Sequence, residues 1–183
     1  MRMYHRAVAP DNRSSRRLLA FCLTLFGSVL IIGSLIAVFL SRSNSDPSAN
    51  DLPRKIAGLT LNSETYGFDA IAEIARMHGK EFPTTYGAMG TYGDANQISI
   101  WIEGFEDQAT ASQIISSMAE KIALGNSPFS PTGYIQVEDR AVYMLDGMGQ
   151  KHAYFQSGKL VLWLAAEPSV ADQAIHQILE EYP

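Results

Sequence analysis

The chain has one cysteine in 183 residues, Cys22, and it lies inside a long apolar run, so the rest of the protein can form no internal disulfide. Whatever folds here must be held by buried apolar surface. Charge is also scarce: Asp, Glu, Lys and Arg make up 18% of the residues, against about 25% in an average globular domain. Basic charge is thinnest in the body of the chain, where Arg54 onward holds eight Lys plus Arg against sixteen Asp plus Glu, a balance of −8. An acidic body of this kind repels phosphate backbones, which removes nucleic acid from the expected partners. Neither a G-x-S-x-G elbow nor an H-E-x-x-H or C-x-x-C-H motif occurs. No enzymatic activity is therefore indicated, and no cofactor is expected.

What is present begins with residues 18–40, LLAFCLTLFGSVLIIGSLIAVFL, which carry no charge. As a helix these about 23 residues would measure about 35 Å, enough to span a bilayer. Arg2, Arg6, Arg13, Arg16 and Arg17 crowd the preceding segment against Asp11 alone. The positive-inside rule therefore places residues 1–17 in the cytoplasm as a basic tail and everything after the span outside it. The run is too long for the apolar core of a cleaved signal peptide, and it ends in bulky Val38, Phe39 and Leu40 rather than small residues. Gly33 and Ala37 form a small-xxx-small pair that lets a second membrane helix approach. The expected location is the cell membrane, with one crossing and the bilayer as partner through residues 18–40.

Residues 41–53, SRSNSDPSANDLP, are polar and broken by two prolines, the composition of a flexible linker. Residues 54–183 then form one extracytoplasmic domain of roughly 130 residues, large enough to bury a core without metal or disulfide. Three helices are predicted from apolar spacing. The first covers 68–78, with Phe68, Ile71, Ile74, Ala75 and His78 on one stripe and Gly79 as its stop. The second covers about 109–124, capped by Asp107 and stopped by Gly125. The third follows Pro168, with Ser169 and Asp172 at capping-box spacing, and buries Val170, Ile175, Ile178, Leu179 and Tyr182.

Between the helices, Ile98, Ile100 and Ile102 alternate with Ser99, Trp101 and Glu103, as in a strand with one buried face. Residues 160–164, LVLWL, are apolar on both faces and read as a central strand, separated from HAYFQ by a turn at Ser157-Gly158. Residues 134–137 and 141–145 are strand candidates, either a hairpin about Asp139 or one bent strand. The class expected is α+β, an antiparallel sheet with helices packed on one of its faces.

Residues 87–122 also run in step with residues 147–182. Trp101 lies over Trp163, 62 positions on, ASQII over ADQAI, 60 positions on, and Gly90 falls near Gly149. The domain accordingly reads as two pseudo-repeated strand-helix units, each unable to bury its apolar face alone. On that geometry Trp101 and Trp163 point away from the helices and, with Tyr154, make an aromatic interaction surface. Tyr86 and Tyr92 are further candidates for it. GAMGTYG and GMGQK are not phosphate cradles, because strands rather than helices follow them.

Two functional classes lead, ahead of a third, a hydrolase whose catalytic groups converge from distant positions without a motif. The first is a membrane-anchored protein-interaction, accessory or regulatory module, bound to a membrane-protein partner or to itself. The alternative is a tethered sensor or carrier of a small ligand or metal, copper or haem, with His78, Met148 and His152 as the soft or borderline ligands to examine. Met77 and Met89 belong to the same ligand set. Against that, methionine is a common core filler, and His78 at a helix end is placed to meet terminal carbonyls.

Overall fold

A computed structural model describes residues 52–125 and 127–183. Residues 1–17, the predicted span 18–40 with Gly33 and Ala37, and nearly all of the linker lie outside the described residues. No helix among the described residues is long and apolar enough to cross a membrane.

The described residues form an α+β fold of eight strands and three helices. The strands are β1 (Lys55–Ile56), β2 (Leu59–Tyr66), β3 (Tyr86–Tyr92), β4 (Ile98–Gly104), β5 (Phe129–Val137), β6 (Arg140–Gly147), β7 (Gln150–Ser157) and β8 (Leu160–Ala166). The helices are α1 (Gly67–His78), α2 (Gln108–Ala123) and α3 (Ala171–Glu181). All eight strands join one sheet in the order β1-β2-β3-β4-β8-β7-β6-β5, every pair antiparallel.

Local chemistry accounts for most element ends. The Asp107 carboxylate accepts from the Thr110 amide at 2.7 Å and starts α2, and Gly79 and Gly125 take positive φ after α1 and α2. α3 differs from expectation: its N-cap is Val170, and neither Ser169 nor Asp172 caps it. Phe68 is also not on a buried stripe. It is 91% exposed, and α1 buries Ile74 of the expected stripe together with Ala70. The open choice at Asp139 resolves as a β5–β6 hairpin, with Val137 opposite Arg140 and Glu138 at φ 55°. Met148 and Gly149, at φ 54° and 81°, make the two-residue turn of the β6–β7 hairpin. Positive φ at both positions matches the right-handed twist of the strands they join.

The sheet is covered on both faces, not one. Ile98, Ile100, Ile102, Leu162, Leu164, Ala153 and Phe155 form one core cluster with Ala171, Ala174, Ile175, Ile178 and Tyr182 from and just after α3. Ala111, Ile115 and Ile122 of α2 pack on the reverse face with Tyr154, Val161, Leu145 and Phe105. α1 lies on that same reverse face, because a Cβ at Gly87 of β3 would meet Ala70 and Ile71. Apolar periodicity states which stripe of a helix is buried, but not which side of a two-sided sheet receives it. One consequence is that Glu103, on the polar side of the alternation, is buried rather than solvated.

β4 and β8 form the central seam. Trp101 stands opposite Trp163, and Ile100 opposite Leu164. Gly90 and Gly149 are not equivalent in position: Gly90 lies inside β3 opposite Ile100, whereas Gly149 is in the β6–β7 turn.

Candidate interaction surface

The α1/α2 face carries an aromatic row that crosses five strands in register. Trp101 of β4 pairs with Trp163 of β8, then Tyr154 of β7, Tyr143 of β6 and Tyr134 of β5. Trp163 stacks on Tyr154 with centroids 5.3 Å apart, and Tyr154 on Tyr143 at 4.8 Å, both within 9° of parallel. Such cross-strand pairs each add about 0.5–1.5 kcal/mol beyond area burial. Of the residues expected to form an aromatic surface, Tyr154 and Tyr92 are buried, and Trp101, Trp163 and Tyr86 are partly buried. α2 accounts for much of this, since Trp163 packs against its cluster. The exposed end of the row is Tyr134, 67% accessible on β5.

His152 explains the unusual company of the β6–β7 hairpin. Its Nε2 lies 3.0 Å from the Gly147 carbonyl, which can only accept, and its Nδ1 lies 3.1 Å from the Trp163 indole N–H, which can only donate. Both bonds form together only when the ring is neutral and protonated at Nε2. Burial lowers the His152 pKa below 6.5, against smaller upward effects of the Gly147 bond and the Asp146 charge. Unfolded chains therefore bind the extra proton first, and stability present above pH 6.5 is lost as pH falls through the folded pKa. His152→Gln should flatten this dependence between pH 7.5 and 5, measured as urea midpoints of the full-length chain. An unchanged slope would remove this role.

The other proposed metal ligands have surroundings of their own. His78 Nδ1 is 2.9 Å from the Ile74 carbonyl in the last turn of α1, and Met148 is 78% exposed at a hairpin tip. Among the described residues no three His, Cys, Asp or Glu side chains are grouped to hold a metal ion. Glu103 is buried beside the Thr84 hydroxyl, which donates to it at 3.1 Å. Desolvation raises its pKa, opposed by that bond and by the His78 charge.

A groove of about 840 Å³ opens on the opposite face, between α3 and the β5–β6 hairpin. Ile135, Val137, Met144, Ile175 and Leu179 supply its apolar lining, and Glu138, Asp172 and Glu180 are its acids. Arg140 and His176 are the lining's basic residues: His176 lies 3.6 Å from the Glu180 carboxylate, and the Arg140 guanidinium donates to the Leu179 carbonyl at 2.7 Å and to the Tyr182 carbonyl, closing the C-terminus of α3. The Arg140 head also lies over the Phe155 ring, 5.0 Å from the centroid. The groove is therefore apolar within and acidic at its margin.

β5 borders this groove and ends the sheet. Its sequence, FSPTGYIQV, holds no charge, and residues 130–136 are all exposed. Edge strands are ordinarily guarded by charge, proline or bulges. Here Pro131 and a register shift before Gly133 guard the first half alone. The second half presents Tyr134 on one face and Ile135, 46% exposed, toward the groove on the other. Sequence reasoning missed this surface, because a neutral strand with no motif gives no chemical signal. The available clue was an uncharged nine-residue run in an otherwise acidic body. No protein-family model, curated protein or solved structure matches this chain.

Proposed function

We propose that the protein is a single-pass, membrane-anchored protein-interaction module, accessory or regulatory in role, whose extracytoplasmic α+β domain meets its partner through β5 and the neighbouring groove. The observation that carries this reading is the uncharged, exposed edge strand beside an apolar groove. An open edge offers a template of backbone donors and acceptors, and an apolar lining gains by leaving water, so a partner can use both. The charge-free run at 18–40 supports the anchor, and the arginines before it support the orientation. The alternative, a tethered metal or ligand carrier, has no comparable observation behind it.

The domain is also read as an ancient duplication, supported by the seam. Pairing about Trp101 and Trp163 makes β4 and β8 mutual equivalents, and their neighbours then place Ala88 opposite Ile102 and Ala153 opposite Leu164 in matching positions. Packing of α2 and α3 on opposite faces is the divergence between the halves.

The test is site-specific photocrosslinking of the full-length chain in its native membranes, with the probe at position 134 or at Asn62 on β2. The expected result is a discrete adduct from position 134 and none from 62. A protein that remains alone and monomeric from both positions would overturn the module.

A further inference from the structure

We infer that the occupant of this surface is an extended segment of a partner protein, with alternating apolar and basic side chains, that adds to β5 as a ninth strand. The inference rests on the interaction-module reading and specifies its partner.

Three observations converge on it. From Tyr134 to Val137 the strand is regular, each residue paired to β6 on its inner side, and among the described residues no strand pairs with its outer side. An added strand would lie about 4.8 Å away, with its side chains alternating between the two sheet faces. The basic set then lies on the groove face, its aliphatic stems along Ile135 and Val137 and its charged heads toward Glu138, Asp172 and Glu180, and the apolar set meets Tyr134 on the other face.

Charge fixes the chemistry of the arriving chain. Glu138 stands at the end of β5, and Asp172 and Glu180 stand across the groove on α3. Arg140 offsets part of this, its charge acting on Glu138, and His176 lies 3.6 Å from Glu180, but three carboxylates still leave the margin negative. A basic segment is attracted by this margin and an acidic one is repelled. The same argument disfavours a second copy of this chain, because two bodies of balance −8 would bring like margins together.

The experiment uses the full-length chain in nanodiscs of neutral phospholipid and three labelled octapeptides: alternating valine and lysine, alternating valine and glutamate, and the lysine peptide with two central prolines. The lysine peptide should bind at least tenfold more tightly than the glutamate peptide and weaken as salt shortens electrostatic reach. The proline peptide, lacking ladder donors, should lose at least tenfold. The surface variant E138K/E180K, checked for folding by circular dichroism, should reduce lysine-peptide binding tenfold or more. Equal binding of the lysine and glutamate peptides, undiminished binding of the proline peptide, indifference to E138K/E180K or no binding at all would each overturn the inference. So would crosslinks from position 134 to a second copy of the chain. A partner crosslinked in membranes at a different face would also remove the ninth strand while leaving the interaction module standing.

Discussion

Replacing Ile100 with alanine should lower the unfolding free energy by about 2–5 kcal/mol, the range for deleting a fully buried aliphatic side chain whose surroundings cannot collapse. Ile100 is completely buried on β4, in the middle of the sheet, with Leu164 of β8 opposite it and 1% exposed. Strands lie on both sides of the site and the α3 layer covers it, so little can move inward to fill the void. Leu164→Ala should cost a similar amount. Because the two side chains share a contact, the double variant should lose less than the two single losses added together. Urea denaturation of the full-length chain checks both statements. A loss below about 1 kcal/mol for either single variant would show that the seam is not the rigid centre of the fold.

Gly87→Ala should destabilise the chain by about 1–3 kcal/mol, through overpacking rather than loss. An added Cβ would sit 2.9 Å from the backbone nitrogen of Ile71 and 3.2 Å from the Ala70 Cβ. Helix backbone cannot rotate away as a side-chain tip can, so α1 would have to lift from β3. Hydrogen exchange should accelerate throughout α1 and little in α3, which packs on the other face. Gly79→Ala is the comparison. Nothing lies within 4 Å of that position, and its penalty comes from the left-handed φ of 65° alone, about 1–2 kcal/mol. It should not separate helix from strand. Equal exchange patterns in the two variants would contradict the close approach.

These two sites also show what the residues disclose by themselves. Ile98, Ile100 and Ile102 announce a strand through their alternation, and Asp107, Gly79 and Gly125 announce helix ends, because those signals are local. Gly87 and Gly90 look like turn residues in YGAMGTY, yet both lie within β3. Their lack of a side chain admits α1 at Gly87, and Leu52 and Leu61 at Gly90. That requirement comes from residues distant in the chain and leaves no local trace. The two edge-side strands β1 and β2 are equally quiet, since LTLNSETY is mostly exposed and lacks a sustained apolar face. His152 and Trp163 drew attention as chemistry-bearing residues, and their ring nitrogens are joined to each other. The surface that is open, on β5, has no residue type that sequence reasoning associates with a site.

The order in which the seam's two halves are synthesised has a consequence for biogenesis. β4 is complete at Gly104, but its partner begins only at Leu160. A growing chain must therefore emerge with one side of an isoleucine-rich strand unmatched until translation has delivered more than fifty further residues. Premature release within that interval would leave a sticky half-sheet, so chains terminated before residue 160 should clump, whereas those that reach Ala166 can shut the gap.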